Sequence, residues 1–247
     1  MLLLVSDMHL QENRPALARA FLHFLKTEAT QAKALYLLGD IFNLWVGDDA
    51  MTDFHREVAA ALKSLAESGT AVFIMHGNRD FALGQDFCKQ AGCTLLKDPC
   101  VITPFSQPIL LMHGDLLCTQ DVGYQRMRRL LRNPFINFIL RNLSLKIRQK
   151  MAGQARKISK SSATKKASYI VDVTQQEVVR LMEKYQTTCL IHGHTHRPAV
   201  HDLEIELNNK MLPAKRYVLG DWSDQEGWKI TLTEDDIQLS SFNFNDF

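Results

Sequence analysis

The stretch AVFIMHGNRD, residues 71–80, begins as a short apolar run and ends abruptly in polar side chains. An apolar run of this length is typical of a β-strand that is buried on both faces, as in a sheet covered by helices. Four other runs have the same design, and each polar end contains an aspartate or a histidine. The five runs are LLLVSDMH (2–9), ALYLLGD (34–40), AVFIMHGNRD (71–80), PILLMHGD (108–115) and CLIHGHTH (189–196).

Helical patterns separate the first three runs. Apolar side chains recur at helical spacing in residues 16–29, which follow Pro15, and in residues 54–68, which end at Gly69. The resulting order β-α-β-α-β predicts a mostly parallel sheet. Because ligands of such sheets bind beyond the carboxyl ends of the strands, we expect the five polar ends to lie at one edge.

The composition is that of an ordinary globular protein. A chain of 247 residues, 46% hydrophobic and 23% charged, can bury one substantial core, and one α/β domain with an insertion is the simplest interpretation. The N-terminal MLLLVSD lacks a basic segment and a cleavage site, so we interpret it as a strand and not as a signal peptide. No run approaches the eighteen or so apolar residues of a membrane span, so any membrane contact should be peripheral. Five cysteines without a CxxC pair favour buried thiols in a reducing cytoplasm.

The net charge of +2 averages two oppositely charged parts of the chain. Residues 122–171 contain thirteen lysines and arginines and no acidic residue, whereas the other 16 basic residues are accompanied by all 27 acidic ones. This segment must face an anionic partner or solvent. Asn133 and Pro134 predict the start of a helix in the segment, and its apolar side chains share one face. They are Phe135, Ile136, Ile139, Leu140, Leu143, Ile147 and Met151.

The polar ends of the five runs have the composition of a metal site. Carboxylate, amide and imidazole groups without thiolate suit Mn²⁺, Fe²⁺ or Zn²⁺, and a binuclear centre would use them all. Residues two apart at a strand end project to the same side, so we expect Asp7 with His9, and His194 with His196, to chelate without bending the chain.

The motifs D-x-H, GD, GN, HGD and GHTH, in this order and spacing, resemble the calcineurin-like metallophosphoesterase family. More narrowly, GDIFNLWVGDD, HGNRDF, HGDLLCTQDxGY and LIHGHTHRPAVH resemble the branch of the family that acts on UDP-2,3-diacylglucosamine in lipid A biosynthesis. The resemblance implies an α/β fold, a two-layer β-sandwich flanked by helices that spans residues 1–247, with a helical lid inserted at residues 122–167. It also implies Mn²⁺-dependent cleavage of the diphosphate to UMP and 2,3-diacylglucosamine 1-phosphate.

The resemblance implies two Mn²⁺ ions per chain and assigns their ligands. One ion is assigned Asp7, His9, Asp40 and His196, and the other Asp40, Asn78, His113 and His194. Asp40 would therefore bridge ions about 3.5–4 Å apart, which together can activate a water and stabilise phosphoryl charge. We interpret Asp40, Arg79 and His113 as catalytic. His192 is left outside the ligand set, with either a buried ring or a hydrogen bond to a ligand.

Arg79 follows the asparagine of the GN motif, where many relatives carry histidine. A guanidinium stays protonated and cannot act as a general acid, so its role should be electrostatic. A diphosphate substrate fits this role, because its leaving group needs little protonation but much neutralisation of charge. The alternative is a surface ion pair with Asp80.

The basic segment should cover the site and meet the lipid. Its apolar face suits acyl chains, and its charges suit phosphates or a membrane surface. The substrate-binding residues implied by the resemblance are Asn78, Arg79, Asp121, Ser159, Lys166 and His194. Should the apolar face pack on the domain instead, the lid would be structural.

The resemblance implies a monomeric enzyme at the cytoplasmic face of a Gram-negative inner membrane. The alternative within the family is a soluble nucleotide or phosphoprotein phosphatase, which would not need the apolar insertion. A nucleic-acid-binding protein is disfavoured because the basic segment lacks aromatic residues placed to stack on bases. Asp48 and Asp49 fit either a solvated loop or support of the metal ligands.

Overall fold

The computed structural model describes residues 1–163 and 172–244, apart from the side chains of Pro134 and residues 156–163. The strands are β1 (Leu2–Val5), β2 (Ala34–Leu37), β3 (Ala71–Met75), β4 (Thr94–Leu96), β5 (Cys100–Ile102), β6 (Ile109–Met112), β7 (Cys189–His192), β8 (Ala199–Leu207), β9 (Lys210–Val218), β10 (Glu226–Leu232) and β11 (Ile237–Asn243). The helices are α1 (Pro15–Lys26), α2 (Asp53–Glu67), α3 (Gln85–Ala91), α4 (Val122–Leu131), α5 (Pro134–Asn142), α6 (Leu145–Ala163) and α7 (Gln175–Lys184).

The strands form two sheets. The first has the order β11-β10-β1-β2-β3-β4, and the second has the order β5-β6-β7-β9-β8. Strands β1 to β4 are parallel to one another in the first sheet, and β6, β7 and β9 are parallel to one another in the second. The parallel arrangement predicted for the first three runs is therefore confirmed, and the other two runs are parallel neighbours in the second sheet. The antiparallel pairings involve β5, β8, β10 and β11.

The apolar runs are buried on both faces because the two sheets pack on each other and carry helices outside. In β1, Leu3 and Val5 pack with α1, α2 and α3, whereas Leu2 and Leu4 face the second sheet. The outer face of the second sheet packs against α7, where Met182 is fully buried. This alternation explains why the strands show no polar side of their own. The expected two-layer sandwich flanked by helices is confirmed.

Up to residue 163, where its described part ends, the basic segment forms three helices, α4, α5 and α6. The Asn133 side chain caps α5 by accepting from the amides of Phe135 (2.9 Å) and Ile136 (3.3 Å), as predicted. The single apolar face predicted for residues 135–151 is wrong, because the chain leaves the helix at Leu143, which is extended with ψ 150°. A new helix starts where the Ser144 carbonyl accepts from Ile147 N and Arg148 N. Among the helices that the structure describes, none is long and apolar enough to cross a membrane.

Candidate metal centre

The five polar ends meet at one edge of the sandwich. Each directly follows a central strand, namely β1, β2, β3, β6 or β7. Backbone hydrogen bonds join the loops to one another, because Asp7 N donates to Gly39 O (3.1 Å), His9 N to Asp40 O (2.9 Å) and Gly193 N to His113 O (2.8 Å). The edge is therefore a fixed platform of short loops.

The backbone of this platform turns sharply, which corrects the expected strand-like spacing of the ligands. Five of the predicted ligands have positive φ angles between 49° and 72°, a region that non-glycine residues enter at a cost and in which residues of functional sites cluster. They are Asp7, His9, Asp40, His194 and His196. Asp7 and His9 therefore lie in a loop beyond β1, and their side chains converge because the chain bends there.

Two glycines allow the loops to approach this closely. A Cβ added at Gly77 would lie 2.1 Å from Asp40 Oδ1, and one added at Gly193 would lie 2.2 Å from Asp7 Oδ2. Neither position has room for a larger residue without moving a predicted ligand.

Asp7, His9 and His196 form the first cluster of donor atoms, with one atom from each within 4.8 Å of the others. The His9 and His196 Nε2 atoms are 3.3 Å apart, and His196 Nε2 is 3.4 Å from Asp7 Oδ1. Within the described part of the chain, Asp7 Oδ1 and His9 Nδ1 are buried and make no hydrogen bond. Buried polar atoms without partners are costly, so a cation is the partner that this cluster fits.

Asp7, Asp40 and His113 form the second cluster, again with donor atoms within 4.8 Å. Asn78 Oδ1 extends it, because it lies 3.0 Å from His113 Nε2 and 2.9 Å from His194 Nδ1. His113 Nδ1 donates to Leu38 O (2.9 Å), which leaves Nε2 as the atom that can bind a cation.

Asp40, a member of the second cluster, also faces the first. Its Oδ1 is 3.8 Å from His113 Nε2, and its Oδ2 is 3.8 Å from His9 Nδ1. One carboxylate oxygen therefore faces each group of imidazoles, as a bridging ligand would.

The protonation states of the histidines fit a cation site. Burial lowers the pKa of His9 to about 3 and that of His194 to about 4, so both rings are neutral and offer a lone pair. Burial would also lower the pKa of His113, but the carboxylates of Asp40 and Asp7 raise it to about 9. In the absence of a metal, a proton on His113 therefore offsets part of the acidic charge, and metal binding would release it.

The pKa values of the two acidic ligands, Asp40 and Asp7, are shifted in different directions. Burial raises the pKa of Asp40 to about 7; His113 opposes this rise, and the neighbouring Asp80 and Asp7 charges add to it. Burial would likewise raise the pKa of Asp7, but the close contact with His196 and the charges of His113, His196 and His9 lower it below its ordinary value. Two buried carboxylates this close to each other are best satisfied by divalent cations.

The Arg79 guanidinium lies beside Asp40 and not beside Asp80. Its Nε is 3.4 Å from Asp40 Oδ2, and its Nη1 donates to Asn43 Oδ1 (3.0 Å). Asp80 is buried and accepts from Gly77 N (2.7 Å). The alternative of an ion pair between Arg79 and Asp80 is therefore wrong, and Asp80 holds the loops of the site together.

Other predicted residues have structural contacts. Asp121 caps α4 by accepting from Tyr124 N (3.1 Å), and Asp48 accepts from Gly84 N (2.8 Å) and Phe87 N (3.1 Å) at the start of α3. Because its partners are backbone amides at the start of α3, Asp48 supports the fold and not a metal ligand.

Two further predicted residues cannot be placed, because the side chain of Ser159 and the whole of Lys166 lie outside the described residues.

The acidic partners of the lid were missed by the sequence reasoning. Arg128 donates to Asp115 Oδ2 and Asp98 Oδ2, both at 2.8 Å, and Arg132 donates to Asp98 Oδ2 at 2.7 Å. Arg148, 8% exposed, donates to Asp49 Oδ1 at 2.8 Å. These arginines attach helices α4 and α6 of the basic segment to the rest of the chain, so part of the basic charge is neutralised internally.

Tyr124 and His194 show how near the lid lies to the clusters. Their rings are stacked with centroids 6.3 Å apart, and the Tyr124 hydroxyl donates to Asp115. The HGD motif was the available signal for Asp115, since its aspartate follows a predicted ligand by two residues. The first turn of α4 therefore forms a wall of the metal centre.

Comparison with known proteins gives one family for the chain. Residues 1–198 match the model of the calcineurin-like phosphoesterase family. A relative from Ectopseudomonas mendocina, named UDP-2,3-diacylglucosamine hydrolase, is 55% identical over 98% of each chain. A relative with the same name from Pseudomonas fluorescens is 54% identical over 99% of this chain and 96% of its own. Another from Stutzerimonas stutzeri is 53% identical over 98% of this chain and 99% of its own.

Proposed function

The chain belongs to the calcineurin-like phosphoesterase family, and from this we propose that it hydrolyses the diphosphate bond of UDP-2,3-diacylglucosamine to UMP and 2,3-diacylglucosamine 1-phosphate, a step of lipid A biosynthesis. Relatives named for this substrate are 53–55% identical over nearly the whole chain. The observation that carries the proposal is the convergence of carboxylate, amide and imidazole groups from five strand ends, directly beneath a basic lid with apolar side chains on its surface.

We propose two Mn²⁺ ions as the cofactor. Asp7, His9, Asp40 and His196 would hold one ion, and Asp40, Asn78, His113 and His194 would hold the other. When bound, the ions would neutralise phosphoryl charge and activate the attacking water. The two donor clusters and the placement of Asp40 between them support this assignment.

Arg79 contributes a fixed positive charge beside the shared carboxylate. Asn43 accepts from its Nη1, and the Asn43 Nδ2 donates to Gln11 Oε1 at 2.6 Å, which turns the amide oxygen of Asn43 toward the guanidinium. The Arg79 side chain is 36% exposed, so part of the guanidinium is accessible to the diphosphate. We therefore assign Arg79 to binding the diphosphate and stabilising the leaving phosphate.

Replacing Arg79 with alanine should lower kcat/KM by about 10²–10³, the range found when one donor to a developing anion is removed. Arg79→Lys should recover part of the loss, because it keeps the charge but not the planar pair of donors. Steady-state release of UMP measures both. Arg14→Ala, which removes an arginine paired with the exposed Asp224, is the matched control and should leave kcat/KM unchanged. A kcat/KM within threefold of wild type in Arg79→Ala would contradict this role.

The lid presents an apolar surface next to basic side chains. Phe135 is 70% exposed, Phe138 67% and Ile139 42%, so this part of the lid does not pack on the domain. We propose that it receives the acyl chains and lies against the cytoplasmic face of the inner membrane, with Arg126 and Arg129, both exposed, near the anionic headgroups. Asp121, Ser159 and Lys166 remain our proposed contacts to the glucosamine and its phosphate.

The purified protein with Mn²⁺ should release UMP from UDP-2,3-diacylglucosamine and barely cleave UDP-glucosamine, the same compound without acyl chains. Each acyl methylene that is buried on binding stabilises the complex by about 0.8 kcal/mol. Three buried methylenes would therefore raise kcat/KM for the acylated compound roughly 50-fold over that for UDP-glucosamine. Equal rates on the two compounds would favour the soluble nucleotide phosphatase instead.

A lid variant tests whether the exposed phenylalanines cause this preference. The double substitution Phe135→Ser with Phe138→Ser should lower kcat/KM for the acylated compound and leave the rate on UDP-glucosamine unchanged. Met211→Ser removes an apolar side chain that is 60% exposed on β9 and should change neither rate. A lid variant with wild-type preference would show that the acyl chains bind elsewhere.

A further inference from the structure

We propose that His192 and Arg216, neither of which is a predicted ligand, form a buried pair that positions residues 193–196 and so sets the affinity of the metal centre. The inference rests on the proposed function, because it concerns the same centre. Both residues are almost inaccessible, with 0% and 6% exposure. His192 ends β7, and Arg216 lies on the neighbouring strand β9.

The hydrogen bonds define the state of the His192 ring. Its Nδ1 lies 2.8 Å from Gly193 O, and a carbonyl can only accept, so Nδ1 carries the hydrogen. The other nitrogen, Nε2, is 3.1 Å from Arg216 Nη1 and must accept from it. Arg216 therefore selects the tautomer of His192 that holds the Gly193 carbonyl.

Gly193 is held from both sides. Its N–H donates to the carbonyl of His113, a predicted ligand, at 2.8 Å, while its carbonyl also accepts from Thr195 N at 2.9 Å. The next residues include His194 and His196, with φ angles of 72° and 56°. Non-glycine residues keep such angles only when their surroundings enforce them. The His192 hydrogen bond fixes the peptide at which this strained turn begins.

The space around His192 leaves it little alternative. A Cβ added at Gly114 would lie 2.8 Å from His192 Nδ1 and 3.2 Å from His194 Cβ, so the ring is wedged between the HGD and GHTH loops. His192 O accepts from Leu219 N at 2.8 Å, which ties the end of β7 to the residue after β9. The pair therefore holds the loop that carries His194 and His196 in a fixed position relative to β7 and β9.

Burying the charge of an arginine costs desolvation free energy, which argues that Arg216 has a role beyond packing. Among the described residues its Nε makes no hydrogen bond, and burial lowers its pKa while the Asp172 charge raises it. A leucine or methionine would fill the same volume at less cost. Outer partners of metal ligands typically change metal affinity by about 10- to 100-fold when removed.

Isothermal titration of Mn²⁺ into the metal-free protein tests the pair without relying on turnover. His192→Phe keeps the ring volume but neither hydrogen bond, and it should weaken Mn²⁺ binding by about 10- to 100-fold. Arg216→Met should weaken it less, because His192 can still donate to Gly193. In both variants kcat should fall at limiting Mn²⁺ and recover at saturating Mn²⁺, with KM for the substrate unchanged.

Two controls separate positioning from a loss of stability. His192→Asn places an amide N–H near the Nδ1 position and should restore part of the affinity. Leu181→Ala, a cavity in the core under α7, should lower Tm and leave Mn²⁺ affinity unchanged. If His192→Phe does not fold, Arg216→Met decides.

The outcomes distinguish this inference from the proposed function. Wild-type Mn²⁺ affinity in a folded His192→Phe, or in Arg216→Met when His192→Phe does not fold, overturns the positioning role alone. Wild-type protein that binds no Mn²⁺ overturns the binuclear centre itself. Weakened binding in both pair variants, with unchanged binding in Leu181→Ala, is the result that the geometry predicts.

Discussion

Replacing Asp40 with alanine should abolish turnover and leave the fold intact. Its carboxylate faces both donor clusters, with Oδ1 3.8 Å from His113 Nε2 and Oδ2 3.8 Å from His9 Nδ1, as a ligand shared by two ions would. Loss of the shared ligand should remove several kcal/mol of transition-state stabilisation, which corresponds to a decrease in kcat/KM of at least about 10³. Release of UMP measures the loss, and elemental analysis after equilibration with Mn²⁺ should find fewer than two ions.

The fold should survive because the metal-free protein is not stabilised by this charge. Burial, together with Asp80 and Asp7, raises the pKa of Asp40 to about 7 despite the opposing charge of His113, so its ionised form is disfavoured in the absence of a cation. Circular dichroism and Tm of the metal-free variant should therefore remain close to those of wild type. Asp224→Ala, at an exposed ion pair, is the control that should keep both ions and full activity. An Asp40→Ala protein that still turns over or binds two Mn²⁺ ions would refute the bridging role.

The strand ends of the site could be predicted because their signals are local. Each apolar run is short and uniformly apolar, which follows from burial between a sheet and a helix layer, and each ends in a polar cluster of few residues. The order of runs and helices then places the ends at one edge. That Asp7, Asn78 and His113 lie at this edge therefore follows from the topology.

The shape of the loops could not be predicted in the same way. The positive φ angles of Asp7, Asp40 and His194 depend on hydrogen bonds between loops that are far apart in sequence, such as His194 N to Asp7 Oδ2 at 2.9 Å. Aspartate and histidine enter this region more often than most residues, but that preference does not determine which of them do so. The break of the lid helix at Leu143 also has a tertiary cause, since Arg148 Nε donates back to Leu143 O while its other nitrogens bind the domain.

The charge of the lid shows the limit of composition as a guide. The sequence predicts a basic surface, yet Arg128, Arg132 and Arg148 point into the domain and pair with Asp98, Asp115 and Asp49. The partners Asp98 and Arg132 are 34 residues apart, and Asp49 and Arg148 are 99 apart, so no local pattern reveals them. The exposed basic side chains available to an anionic partner are consequently fewer than the thirteen in the segment.

Replacing Asp115 with alanine should destabilise the protein by about 3–5 kcal/mol, because it removes one of the two carboxylates that pair with the largely buried Arg128 and Arg132 and leaves Asp98 to pair with both. Asp115 is fully buried and lies 2.8 Å from Arg128 Nε and 3.5 Å from Arg132 Nη2, and those arginines are only 10% and 21% exposed. Urea unfolding at pH 7 measures the loss. The lid would also lose an anchor, so KM for the acylated substrate should rise more than KM for UDP-glucosamine.

The pH dependence and a second substitution make this test specific. Burial would raise the pKa of Asp115, but Arg132, His113 and Arg128 lower it below its ordinary value of 3.8. A carboxyl whose folded-state pKa is depressed contributes stability above its unfolded pKa and loses it as the pH falls toward the folded value. The difference in the free energy of unfolding between wild type and Asp115→Ala should thus be complete at pH 7 and shrink below about pH 4.

Adding Arg128→Met to Asp115→Ala should restore part of the stability, since the buried cation is removed with its anion. Asp224→Ala, at an exposed pair, should change the free energy of unfolding by no more than about 1 kcal/mol. An Asp115→Ala protein as stable as that control would show that Asp98 alone can hold the lid arginines.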